Sequence, residues 1–278
     1  MKESTALPHL EVLSTARLVL HEECDPRRVE KLCQRIREDG YLKHPLIVAA
    51  LPETDRFVVL DGANRTMALL TMGIPHVVAQ LVSYGDPGVE LGTWHYVVAG
   101  MRLDEFEEAL AQVNELRLHR CNLDEARAAL ATGDAAAYIV SASGVRKVYS
   151  EDRSRLRDIR LLNDLVGVYK GRADIFRASN DVWEIQAPYY PGITALVVFP
   201  PYSPADILML VRRGEKVPTG VTRHAIPNRA LYINVPLSIL SADWTLARKR
   251  EWLGQWLMEQ MAANAIRYYS ESTFLFGQ

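Results

Sequence analysis

A small α/β unit followed by a larger α+β unit is the fold class this sequence predicts, and three observations carry the prediction. Apolar residues make up 49% of the 278, enough to build a proper core in one large or two smaller domains. The first 82 residues alternate extended and helical apolar patterns in the order strand, helix, strand, strand, helix, strand, the pattern of an α/β layer. The turn-rich run Gly85-Asp86-Pro87-Gly88 then breaks that order and marks a hinge. The expected division is 1–90 and 91–278, with the functional site in the cleft between them.

Residues 16–21, Ala-Arg-Leu-Val-Leu-His, read as a short strand that ends at Glu22 and Glu23. Asp25-Pro26 starts a helix, with Asp as N-cap and Pro in the first turn, and Val29, Leu32, Cys33 and Ile36 recur at helical spacing up to Gly40. Residues 46–51 and 56–60 form two strands, the second running into Asp61-Gly62. Residues 64–72 then form a helix ended by Gly73, and 77–82 another strand. Beyond the hinge, helices are expected near 104–116, 123–132, 153–169 and 243–266, and strands at 137–149, 194–199 and 230–235.

The charge balance, 32 basic against 34 acidic residues for a net of -2, gives no electrostatic reason for non-specific attachment to nucleic acid or anionic lipid. The charge-rich run Arg146–Arg160 mixes both signs and reads as a solvated helix face. Cys24, Cys33 and Cys121 form no CxxC pair and leave one thiol over in any disulfide scheme, which suits a reducing compartment. The N-terminal residues lack the apolar stretch of a secretory signal, and no segment reaches the roughly 20 apolar residues of a membrane span. The expected location is the cytoplasm. No His/Cys group has zinc-ligand spacing, and a Walker-type glycine loop is absent.

Chemistry concentrates at Asp61-Gly62-Ala63-Asn64-Arg65-Thr66, where a strand runs through a glycine turn into a helix. Free amides, the helix dipole and a guanidinium converge there, which is what a phosphate needs. Asp61 would repel a bare phosphate, so it makes sense with a metal between them or a substrate hydroxyl to accept from. The structural alternative is an Asp-Gly turn with Asn64 as helix cap and Arg65 on the surface. Glu22, past the tip of a strand expected beside the one ending at Asp61, is the second candidate; its alternative is simple solvation of a strand end. Val217-Pro-Thr-Gly-Val-Thr-Arg-His224 is the third, a loop in which Thr222, Arg223 and His224 would present a hydroxyl, a cation and a ring donor together to a carboxylate or phosphate. Trp94 either lines the same cleft or packs in the core. His44, ahead of Pro45, either reaches a nucleotide or caps its turn, and it counts among the nucleotide-binding candidates.

At these residues the chain resembles the ParB/sulfiredoxin-like superfamily, whose nucleotide box, usually Asp/Gly-Gly-x-His-Arg, stands here as Asp61-Gly62-Ala63-Asn64-Arg65. It is most similar to the free L-serine kinases of that superfamily. Leu20-His21-Glu22, His44-Pro45-Leu46-Ile47-Val48, Thr93-Trp94, Lys216-Val217-Pro218, Gly220-Val221-Thr222-Arg223 and Val235-Pro236-Leu237 carry the likeness. The resemblance implies transfer of the terminal phosphate of ATP or ADP to free L-serine, with Mg²⁺, giving O-phospho-L-serine for siderophore or related amino-acid biosynthesis. It makes Glu22 and Asp61 catalytic and gives Gly62, Ala63, Asn64, Arg65 and Thr66 to the nucleotide phosphates, with Mg²⁺ at Asp61. Trp94, Thr222, Arg223 and His224 would hold serine. Asn64 departs from the family histidine; it donates a hydrogen bond but carries no charge. The rival readings are a ParB-like regulator that binds DNA and responds to nucleotide or haem, and a sensor without turnover. Sulfiredoxin chemistry would need a cysteine beside Arg65, and no cysteine lies between Cys33 and Cys121.

Overall fold

The computed structural model of the chain describes residues 7–150 and 155–269, with side chains placed from residue 159 onward in the second segment. Residues 1–6 of the N-terminal reading and 151–154 of the charge-rich run lie outside the described residues.

The chain opens with β1 (Leu10–Ser14) and β2 (Leu18–Leu20), then α1 (Pro26–Asp39), β3 (Tyr41–Leu42), β4 (Leu46–Ala50), β5 (Phe57–Asp61), α2 (Ala63–Thr71) and β6 (His76–Val82). The start of α1 follows its local chemistry: the Asp25 carboxylate accepts from the Arg27 and Arg28 amides, and Gly40 ends the helix at φ 73°. Val29, Cys33 and Ile36 are its buried positions. Among the described residues five strands form one sheet in the order β1-β6-β4-β5-β2. β2 runs parallel to β5 and β4 parallel to β6, while β1–β6 and β4–β5 are antiparallel.

The chain continues as β7 (Glu90–Thr93), β8 (His95–Ala99), α3 (Leu103–Ala111), β9 (Arg117–Cys121), α4 (Leu123–Thr132), β10 (Ala137–Ser141), β11 (Gly144–Tyr149), α5 (Arg155–Gly167), β12 (Asp174–Ala178), α6 (Trp183–Gln186), β13 (Ile193–Val198) and α7 (Pro204–Arg212). A second, fully antiparallel sheet has the order β12-β8-β13-β10-β11-β9. One core joins the two units: Ile47, Val58 and Leu60 of the first sheet pack in a cluster with Tyr96, Val98, Ile139 and Val197 of the second and with Leu162, Leu165 and Ile207 of the helices. Last come β14 (Thr222–Ala225), β15 (Val235–Pro236), α8 (Leu237–Ser241) and α9 (Leu246–Ala262).

A division near residue 90 remains our proposal for where the two sheets part. The C-terminal segment crosses back over it: β15 pairs with β3, and Trp252, Leu253 and Trp256 of α9 join the cluster built on Val12, Leu13 and Val77.

Three sequence expectations change. Residues 137–149 are a hairpin of two strands rather than one. The strand expected at 230–235 is reduced to Val235–Pro236, because Asn228, Tyr232 and Asn234 take left-handed backbone conformations, at φ 50°, 54° and 45°, that a ladder cannot hold. The loop expected at 217–224 ends in β14, which pairs with β7; both strands carry too few apolar residues to announce themselves.

Leu69, 0% exposed on the inner face of α2, and its neighbour Leu70, 39% exposed, give a direct test of this packing. Leu69→Ala should cost about 2–5 kcal/mol in chemical denaturation, and Leu70→Ala less than about 0.5 kcal/mol.

Candidate functional site

Two carboxylates meet at the carboxyl ends of neighbouring parallel strands. Leu20 of β2 is in register with Val59 of β5, so Glu22 and Asp61, each two residues further on, leave the sheet side by side, the position at which open α/β sheets bind ligands.

Glu22 is held by a segment some 200 residues away. The Val217 amide donates to His21 O (3.0 Å) and the Glu23 amide to Val217 O (2.8 Å), while the Thr219 hydroxyl donates to Glu23 O (2.7 Å). The Gly220 amide donates to Glu22 Oε2 (2.7 Å). Burial raises the Glu22 carboxyl to about 7; the Gly220 hydrogen bond and the Arg177 charge oppose the rise, and the Asp61 charge adds to it.

The two histidines beside it are neutral. His21 is 1% exposed, and its Nδ1 can only donate to Val59 O (2.7 Å), which leaves Nε2 to accept from the Thr222 hydroxyl (2.8 Å). The Thr222 proton is therefore committed to His21, and its 3.5 Å approach to Glu22 Oε2 adds little. Burial lowers His21 to about 4. Burial and the neighbouring His21 take His224 to about 3. His224 Nε2 pairs with the Tyr84 hydroxyl at 2.8 Å, and its Nδ1 is buried without a well-formed hydrogen bond among the described residues.

Thr222, Arg223 and His224 accordingly do not act as one cluster. Strand alternation in β14 sends Thr222 and His224 inward and Arg223 to the opposite face, where its guanidinium lies 4.7 Å from the centre of the Trp94 ring. The Trp94 amide donates to Val221 O (2.7 Å).

Asp61 sits between two guanidinia: Arg65 donates to its Oδ2 at 2.6 Å, and Arg229 donates to the same oxygen. Arg65 also donates to His44 O (3.1 Å) and Pro45 O (2.8 Å), so in this structure it positions Asp61 rather than offering a free fork. Asn64 likewise faces inward, its Oδ1 accepting from the Asp25 amide (2.9 Å) and tying α2 to the start of α1. The Thr66 hydroxyl donates to Gly62 O (3.0 Å). The Gly62 cap, at φ 101°, has no side-chain hydrogen bond, which leaves the first amides of α2, at Ala63, Asn64 and Arg65, as donors for an anion.

Arg229 carries no motif and was not read from the sequence. It lies on the left-handed loop 228–234, which is stitched down by Gln80: its Nε2 donates to Asn228 O (3.2 Å) and its Oε1 accepts from the Ala230 amide (2.9 Å). His44 Nδ1 accepts from the Tyr232 amide (3.1 Å), so the proton of the neutral ring is on Nε2. Burial first, then the charges of Arg65, Lys43 and Arg229, lower His44 to about 4.

Among the described residues, three of the cations that could build a nucleic-acid face are held in ion pairs. Arg146 pairs with Glu107, Arg160 with Glu215 and Arg212 with Glu53. No described helix is long and apolar enough to cross a membrane.

The glycine at the turn is required. A Cβ at Gly62 would stand 2.7 Å from Leu46 Cδ2 and 3.1 Å from Arg65 Nη2, at a φ that side chains avoid. Gly62→Ala should lower stability by about 1–3 kcal/mol in denaturant titrations and, by displacing Arg65, weaken anion binding at the α2 N-terminus.

No family model matches the chain. The ATP-dependent L-serine kinase SbnI of Staphylococcus aureus is 28% identical over 272 residues, 97% of this chain and 98% of the relative. An ATP-dependent L-serine kinase of Staphylothermus marinus is 26% identical over 248 residues, 85% and 94% of the two chains. The solved structure of SbnI with C-terminal truncation from Staphylococcus aureus superposes with a TM-score of 0.72 at 26% identity, covering 91% of this chain and 97% of that one. In sequence along nearly its whole length, and in fold, this chain resembles the L-serine kinases.

Proposed function

We propose that the chain is a kinase that moves the terminal phosphate of a nucleotide to the hydroxyl of free L-serine, giving O-phospho-L-serine. The observation that carries this reading is the pairing of a buried, proton-hungry Glu22 with an arginine-flanked Asp61 beside the open N-terminus of α2. ATP is the donor we assign, because both curated relatives described above are named ATP-dependent. A cytoplasmic setting follows from the need for ATP. A siderophore or amino-acid pathway as destination rests on the resemblance alone.

Each group then has one task. The phosphates dock on the amides of Ala63, Asn64 and Arg65, with Gly62 giving the close approach and the His44 Nε2–H and Arg229 as further donors. Asp61 fits Mg²⁺: Oδ2 takes both guanidinia, so Oδ1 is the oxygen that would hold the cation. Bound there, Mg²⁺ would neutralise charge on the transferring group. Glu22 accepts the serine hydroxyl proton as the new Oγ–P bond forms and the bond to the leaving nucleotide oxygen breaks. The Gly220 amide holds the Glu22 carboxylate in place, Thr222 fixes the neutral His21 beside it, and Trp94 packs against Arg223 on the opposite face of β14.

Phosphorus NMR of the protein with Mg²⁺, ATP and L-serine should show O-phosphoserine. Glu22→Gln should reduce turnover by about 10²- to 10⁴-fold with nucleotide binding retained; wild-type turnover in that variant would remove Glu22 from the chemistry. Because Glu22 must be ionised to act, kcat/KM for serine should rise with pH and level off above an inflection near 7.

The same residue makes a stability prediction of defined sign. A carboxyl raised from 4.5 to about 7 favours the folded state below pH 4.5, and that advantage is lost as pH climbs to 7. Glu22→Gln, which cannot ionise, should match the wild type at pH 4.5 and exceed it at pH 8 by about 2–3 kcal/mol in urea titrations.

A further inference from the structure

Arg177 has no part in the roles given above. It lies on β12, the edge strand of the second sheet, directly opposite Tyr96 of β8, and residues paired across strands share a face. Tyr96 belongs to the central core, and its hydroxyl donates to Thr219 O. Arg177 therefore stands on the side of the sheet that carries the Pro218–Gly220 turn. Its guanidinium occupies the space that a side chain at Gly220 would fill, and Gly220, at φ 71°, is a backbone conformation that suits glycine for a second reason.

The same Gly220 donates its amide to Glu22. One glycine thus seats a cation on one side and the carboxylate on the other. The two charges act on each other without forming an ion pair, and among the described residues the Arg177 side chain makes no hydrogen bond or ion pair. It is exposed.

We propose that Arg177 binds the α-carboxylate of the amino-acid acceptor, so that the hydroxyl is delivered to Glu22; this rests on the kinase reading above. A guanidinium fork matches a carboxylate in two parallel hydrogen bonds. A second negative charge brought beside the buried Glu22 needs an adjacent cation to offset it. Arg223, the cation expected from sequence to hold serine, is turned to the other face of β14 against Trp94, whereas Arg177 is beside the carboxylate that takes the proton.

The test compares L-serine with ethanolamine, which keeps the hydroxyl and amine but lacks the carboxylate, in the wild type, Arg177→Ala, Arg177→Lys and Arg223→Ala at saturating ATP. The expected result is a KM for serine raised roughly 10- to 100-fold in Arg177→Ala, partial recovery in Arg177→Lys, and an unchanged KM for ATP. Ethanolamine should be a poor acceptor for every form and insensitive to Arg177. An unchanged serine KM in Arg177→Ala overturns the proposal, as does an equal loss for serine and ethanolamine, or a rise in serine KM confined to Arg223→Ala. Calorimetric titration of L-serine into wild type and Arg177→Ala reads the contact without turnover: weaker binding in the variant supports it, equal binding overturns it. A wild type that binds serine through Arg177 yet forms no phosphoserine would overturn the kinase reading alone.

Discussion

Everything at the site depends on a clasp between residues 21–23 and 217–222. Backbone pairing of His21 and Glu23 with Val217, reinforced by Thr219, Gly220 and Thr222, joins segments separated by about 200 positions. Closing so long a loop is entropically costly, and the shared core of the two sheets supplies the compensation. The clasp buries Glu22 and gives one of its oxygens a single strong donor. A carboxylate at a solvated strand end would titrate in the usual range; this one does not, because the far end of the chain closes over it.

Electrostatics then divides the two carboxylates by environment. Glu22 has one amide and a cation that does not touch it, and its proton affinity is raised. Asp61 has two guanidinia on one oxygen and faces the dipole of α2. Acid–base and charge-holding tasks separate in this way when the surroundings differ, even with similar side chains. The histidines take part as neutral dipoles: a ring whose Nδ1 must donate to a carbonyl has only an acceptor left on the other side, and burial keeps it unprotonated. They orient hydroxyls and loops, and they bring no charge to the site.

The left-handed stretch from Asn228 to Asn234 shows how a position is fixed without a motif. Three non-glycine residues in that conformation store strain of the kind that persists only where surrounding contacts enforce it. Gln80 and His44 provide those contacts, and the product is Arg229 set against Asp61. Alternating Leu231, Ile233 and Val235 look like a strand in sequence, since apolar alternation does not record backbone handedness.

The sequence by itself determined the local structure of the first unit: the Asp25-Pro26 start and Gly40 stop of α1 and the strand-turn-helix through Gly62 are short-range consequences of capping, glycine freedom and apolar periodicity. Only the tertiary structure decided which polar groups face one another. Arg65 and Asn64 turn inward because Asp61, the His44–Pro45 carbonyls and the Asp25 amide lie within reach. Thr222 and Arg223 part company because β14 pairs with β7 and sends consecutive side chains to opposite faces. Arg229 and Arg177 enter the site from loops and edges that carry no periodic signal. Periodicity reports how a segment buries its own apolar face; the partner of a charge is set by chain closure over long distances, which no local pattern encodes.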